Sequence, residues 1–292
     1  MLRLEATKAN SLRSWAAMSS SKPEALWGLP PVLPFEAPGS WLSRASQSQG
    51  VCASVFVIHL GMRPRLDSDF FFLSRRFPSI AKACGLAPGA FAEARQVMAS
   101  IRKLDIKGDG LLFRSGRRAR YRYCPRCFLK QRTPHFHLQS RLEAWRSCPE
   151  HGCMMEDACW RCSTPIELPF SPGIDGSHMT HCHSLGQCIS CGANLRDAPV
   201  VDLNETVGCL SEWERLVLYN GQVLPAALFQ RRVFVADGLP RPFAHVTRLL
   251  KQGMLARPGH GPTASRLRAR MSTLSGRVDG DSSGDPPEVL SA

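Results

Sequence analysis

The chain has 292 residues, room for one large or two small domains, and its 37 Lys and Arg against 24 Asp and Glu give a formal charge of +13. A surplus that basic favours a polyanionic partner, DNA, RNA or an anionic membrane surface, and says nothing about fold. The longest apolar run, "GVCASVFVIHLGM", is too short to cross a bilayer and is broken by His59, and the amino terminus lacks an apolar core followed by a small-residue cleavage site, so neither a membrane span nor a secretory signal is expected.

Residues 1–30 are Ser- and Ala-rich without sustained periodicity and read as a disordered leader. A helical amino-terminal domain is expected over 31–120. In "LPPVLPFEAPGSWLSRASQSQG" the prolines hold an extended entry, Gly39-Ser40 offers an N-cap, and Trp41, Leu42 and Ala45 share one helical face until Gly50. "VCASVFVIHLG" predicts a second helix. In "FPSIAKACGLAPGAFAEARQVMASI", Ile80, Ala83, Leu86, Phe91 and Val97 fall at helical spacings around a break at Cys84-Gly85, the outline of a helix-turn-helix; such a pair either touches DNA or only packs. The stretch 102–132 is strongly basic with Phe113, Tyr121 and Tyr123 interleaved, and reads either as a phosphate-contacting surface, with Arg117, Arg118, Arg120, Arg122 and Arg126 as the candidates, or as a solvated face.

Nine of the twelve cysteines lie between Cys124 and Cys191, mostly as C-x2-C pairs, a pattern that reads as metal binding in a reducing compartment rather than as disulfides. Zn²⁺ takes four tetrahedral ligands, and two ligands separated by two residues reach one ion from a tight turn. Four such pairs stand in order over a module expected at 121–198: Cys124/Cys127, Cys148/His151, Cys159/Cys162 and Cys188/Cys191. Consecutive pairing gives a Cys₃His site and a Cys₄ site; a crossed pairing of first with third and second with fourth stays open. Consecutive pairing is preferred because "TPHFHLQSRLEAWRS" reads as a helix that returns the chain, whereas only seven residues separate His151 from Cys159. Cys153, Cys182, His178, His181 and His183 compete to replace a nominal ligand or cap a site, but their poorer spacing favours reading them as bystanders, and Cys52, Cys84 and Cys209 read as small buried hydrophobes. A thiol redox enzyme needs one reactive pair on a βαβ scaffold, and a catalytic zinc needs an open position; neither suits four pairs that complete two quartets, so the metal reads as structural and the chain as no enzyme. Beyond the module, "LSEWERLVLYNG" and "FAHVTRLLKQGML" predict helices of a short extension over 199–256, and Gly, Pro, Ser and Arg dominate a tail over 257–292 that reads as disordered.

These residues resemble the TniQ family of transposon target-selection proteins, which includes the TnsD type. "PFEAPGSWLSRASQSQG" resembles the family's proline-led opening, and "RYRYCPRCF", "PHFHLQSRLEAWRSCPEHGCMMEDACWRC" and "QCISCGANLR" resemble its zinc module in order and spacing, together framing about residues 30–197. The resemblance implies two structural Zn²⁺ ions, one on Cys124, Cys127, Cys148 and His151, the other on Cys159, Cys162, Cys188 and Cys191. It also implies a non-catalytic role in DNA transposition: recognising or relaying a target site and recruiting an AAA+ ATPase that engages the transposase. The aromatic and Arg positions of other members are filled here by His137 and Ser140, with Trp145 later, and the carboxy-terminal part is short beside the larger ones. The fold expected is mostly α with small β-hairpin zinc knuckles, an α+β arrangement; the expected location is the bacterial cytoplasm at the nucleoid, and homodimer formation stays open. The alternative is a zinc-containing helix-turn-helix transcription regulator.

Overall fold

A computed structural model describes residues 26–62, 67–72, 77–104, 110–116, 118–170, 183–230, 232–234, 240–242, 244–256 and 261–278. The head is built from α1 (Pro38–Ser48), α2 (Ala53–His59), α3 (Ser68–Phe71), α4 (Phe77–Ala83) and α5 (Ala92–Leu104). Three short antiparallel pairs follow: β1 (Arg114–Ser115) with β2 (Arg118–Ala119), β3 (Ser147–Cys148) with β4 (Cys153–Met154), and β5 (Arg232–Phe234) with β6 (Pro240–Pro242). Between them lie α6 (Pro125–Lys130) and α7 (Glu212–Gln230), and α8 (Ala244–Lys251) and α9 (Ala264–Val278) close the described chain. The architecture is mostly helical with small strand pairs, as the composition of the segments predicts.

α1 starts at Pro38, whose fixed φ suits the first helical position, and no side chain caps it. Ser40, expected at the cap, instead accepts from the Phe136 N–H at 3.0 Å and donates to Glu36 at 2.9 Å, tying the helix to the next part of the chain. Trp41 is fully buried, edge-on to Phe91 at 5.7 Å, and its indole N–H donates to the Pro30 carbonyl, which holds the proline-rich entry against the head. Ile80, Val97, Met98 and Ile101 complete the core here. The connection between α4 and α5 runs over eight residues, 84–91, with Gly85, Gly89 and Phe91 at positive φ; it is longer than the short turn expected of a helix-turn-helix.

The same core continues without a break into the cysteine-rich part through Tyr121, Tyr123, Phe128 and Phe136. A buried polar knot crosses it as well. Asp69 accepts from the Gly39 N–H at 2.9 Å, from the Tyr121 hydroxyl at 2.6 Å and from Arg141 Nε at 2.7 Å, while Arg141 also pairs with Asp67. Burial, and then Asp67, raises the Asp69 carboxyl against the pull of Arg141. Gly39 is required there, because a Cβ would stand 2.5 Å from the Tyr121 hydroxyl.

Two expectations are corrected. The helix expected in "TPHFHLQSRLEAWRS" is only a single 3₁₀ turn, Leu138–Arg141. A helix there would bury one face, but Phe136, Leu138, Ser140, Arg141, Leu142, Glu143 and Ala144 are all buried, and bridges Glu36–His137 and Leu112–Leu142 hold the segment extended through the interior. The tail expected to be disordered from 257 contains α9. Its Ala264 and Leu267 are buried with Met154, Val201, Leu210 and Leu218, and Arg268 forms a two-pronged pair with Glu156. Burying one Leu contributes about 1.5–3 kcal/mol, enough to dock a helix of otherwise polar composition.

Candidate metal centres

The first quartet is assembled by a helix start and a hairpin. Cys124 immediately precedes α6, Pro125 opens that helix, and Cys127 lies one turn in. Cys148 ends β3 and pairs across the hairpin with Cys153; His151 lies in the turn, where Gly152 takes positive φ. His151 Nδ1 lies 3.6, 3.3 and 3.4 Å from the sulfurs of Cys124, Cys127 and Cys148, and Cys127 lies 3.6 Å from Cys148. A Zn–S bond of about 2.3 Å and a Zn–N bond of about 2.0 Å imply tetrahedral edges of roughly 3.5–3.8 Å, close to these separations. All four donor atoms lie within 4.8 Å of one another, so the group could hold an ion.

The second quartet, Cys159, Cys162, Cys188 and Cys191, meets the same criterion. Cys159 and Cys191 are 3.7 Å apart and Cys162 and Cys188 3.5 Å. Each pair sits on its own tight turn: the Cys159 N–H donates to the Thr164 carbonyl and the Cys188 N–H to the Ala193 carbonyl, with Ser163 and Gly192 at positive φ. Trp160 spans the two turns by donating to the Asn194 carbonyl at 3.0 Å. The consecutive pairing is therefore the one the fold assembles, and the crossed one is not formed.

All eleven described cysteines are free thiols. Hydrogen bonds from Cys127, Cys148 and Cys153 hold the Cys124 thiol far below its ordinary range, while bonding to Cys124, with burial, pushes Cys127, Cys148 and Cys153 up. One thiolate is thus stabilised at the expense of its neighbours, and several in so small a space need a central cation. In the second quartet, Cys162 is exposed and its slight burial raises the thiol, but hydrogen bonding with Thr164 outweighs this and brings it to about 6. Cys153 stands outside the first quartet yet in contact with it, fully buried and 3.5 Å from Cys124. In the sequence its signal was the two-residue spacing from His151; its place opposite Cys148 on a two-residue strand pair produces the closeness. Cys182, His178 and His181 lie outside the described residues.

The five candidate arginines part company. Arg117 lies outside the described residues. Arg118 is 77% exposed and pairs with Glu167 at 2.9 Å. Arg120 is half-buried and stacks over the Phe113 ring at 4.6 Å. Arg126 is 43% exposed and reaches the His151 carbonyl at 3.1 Å and Asp202 at 3.4 Å. Arg122 departs from the expected phosphate contact: it is buried, donating to the Leu142 and Glu143 carbonyls at 3.0 Å and pairing with Glu143 at 3.1 Å. Burial, offset in part by Glu143, lowers its guanidinium to about 10. The alternation in "RRARYRY" explains the split, since Tyr121 and Tyr123 are buried on one side and Arg122 is drawn inward by the carbonyls and the Glu143 carboxylate on the other.

Together these features define a helical protein with two tandem Cys-rich knuckles, each able to hold one ion, and with no helix among the described residues long and apolar enough to cross a membrane. Residues 29–155 match the TniQ family model, and the chain carries a TniQ domain over that span. That assignment implies a transposition-associated accessory protein. The match takes in the head, the basic stretch and the first quartet, and stops before the second. No curated protein matches the chain.

Proposed function

We propose that the protein is a non-enzymatic accessory factor of DNA transposition that helps select the target site, touching DNA itself and recruiting an AAA+ ATPase and, through it, the transposase. The observation that carries this reading is the TniQ match, which runs through the head into the first metal quartet. The donor chemistry supports zinc: thiolate-rich tetrahedral sets with at most one imidazole suit Zn²⁺ and leave no protein-free position when four donors are present. The first ion would be held by Cys124, Cys127, Cys148 and His151 and the second by Cys159, Cys162, Cys188 and Cys191, each supplying a rigid cross-link where the chain has little regular structure. The basic approach to the first quartet supports DNA contact, now through Arg117, Arg118, Arg120 and Arg126, because Arg122 is occupied inside.

The test is crosslinking to duplex target DNA together with transposition frequency for an Arg118→Ala, Arg126→Ala double variant. Each lost phosphate contact should weaken binding and flatten its salt dependence by about one unit of slope. Unchanged crosslinking and frequency would remove the DNA-contact claim. Elemental analysis of the full chain should find two zinc ions per molecule.

A further inference from the structure

Away from the metal centres, the start of α7 and the middle of α9 enclose an open hollow of about 470 Å³ lined by Cys209, Ser211, Trp213, Glu214, Arg266 and Arg270. Trp213 is 45% exposed although it is the chain's largest residue type and sits on a helix whose other face builds the core. Close to half of the indole lies open to solvent beside two guanidiniums. It presents a flat π-surface next to cationic hydrogen-bond donors.

The acid in the hollow is already committed. Ser211 and Glu214 form a reciprocal capping box, the Ser211 N–H donating to Glu214 Oε2 at 3.0 Å and the Glu214 N–H to Ser211 Oγ at 3.2 Å, and Arg270 donates to the same Glu214 oxygen at 2.9 Å. Arg270 is held further by the Cys209 carbonyl at 3.1 Å; both bonds use Nη1, so among the described residues its Nε and Nη2 edge remains for a ligand. Arg266, one helical turn earlier on α9, is exposed and makes no ion pair among the described residues. The start of the 19-residue α7 borders the same hollow, its positive end already offset by Glu212 and Glu214 in the first turn, so the cationic character there comes from the two arginines.

We propose that Trp213, Arg266 and Arg270 form a binding site for an unpaired nucleotide of a nucleic-acid strand, the base stacking on the indole and the adjoining phosphate meeting the two guanidiniums. Aromatic faces flanked by arginines recognise single strands because every base offers a π-face, whereas the bases of a duplex are stacked inside and cannot reach an indole in a shallow hollow. The site lies outside 29–155 and uses none of the arginines assigned above to duplex contact, so either can fail alone.

The experiment is a tryptophan-fluorescence titration of the zinc-loaded full chain with strands of about 20 thymidine or 20 uridine nucleotides and with a duplex of the same length. Either strand should quench the wild-type protein saturably. Trp213→Phe should lose that part of the quench while keeping most of the affinity, and Trp213→Ala should weaken strand binding about tenfold. Arg266→Ala should weaken it too and reduce the salt slope by about one. Preference for the uridine or the thymidine strand distinguishes RNA from DNA, and both support the site. Trp213→Phe keeps an aromatic ring at the position and should melt close to the wild type, and binding is compared at a temperature where every variant is folded. A strand response that Trp213→Phe and Trp213→Ala leave intact, or no response to either strand, overturns the proposal and leaves Trp213, with exposed Leu216 and Tyr219, as a surface for a protein partner.

Discussion

At His137 the surroundings decide the protonation state. Burial, reinforced by neighbouring His135 and opposed by Glu150, lowers the imidazole from 6.5 to about 4, and its Nε2 lies 3.4 Å from the Gln131 amide, a contact that suits a neutral ring accepting. A histidine whose folded pKa is depressed stabilises the fold above its unfolded pKa and loses that contribution as pH falls towards the folded one. Wild type should therefore lose stability relative to His137→Gln between about pH 6.5 and 4, by no more than about 3 kcal/mol, with little further change below. Urea unfolding of both proteins across that range checks this, and parallel loss in the two would count against it. Arg122 makes the complementary point: a side chain in the middle of a basic run became structural because backbone carbonyls and Glu143 were within reach. Charge density along a sequence does not say which way each guanidinium points.

Among the elements, α7 shows how tightly the extension is fitted. Gly221 faces the loop at Ala144, and a Cβ there would come within 1.9 Å of the Ala144 carbonyl oxygen, which is backbone and cannot swing away. Gly221→Ala should cost on the order of 1–3 kcal/mol despite the better helix propensity of Ala, measured by chemical denaturation; a stabilised variant would mean that helix and loop are not in contact. The first half of α7 was legible in "LSEWERLVLYNG", but its continuation past Gly221 and through Pro225 was not, since both residues normally end a helix and only tertiary contact keeps them in one. The four ligand pairs were legible because C-x2-C spacing encodes a tight turn by itself. The segment 133–147 misled because its apolar residues fit a helical face while its polar ones, Arg141 above all, are drawn inward to partners more than 70 residues away. α9 carried its own signal, Ala264, Leu267 and Met271 at i, i+3 and i+7, hidden by the Gly, Ser and Arg around it.

Over the whole molecule, Cys159 and Cys188 of the second quartet belong to the core that fills the head, and Trp145 packs against both that core and the separate cluster around the first quartet, so the metal quartets support more than the turns that carry them. Structural zinc contributes on the order of 10 kcal/mol per site in small peptides, comparable with the entire net stability of a typical domain. Chelation should therefore unfold the head together with the knuckles, in one calorimetric transition that also exposes Trp41. A separate, metal-independent melting of the head would show that the shared core is not cooperative.

The carboxylate of Asp69 draws its partners from Gly39, Tyr121 and Arg141, and Phe170 closes on Ser43. Anyone exchanging segments between relatives would therefore do badly to place the seam at 120, where the composition changes. Such a graft would strand an acid in an oily interior without its counter-charge, so 36–170 has to travel as one cassette.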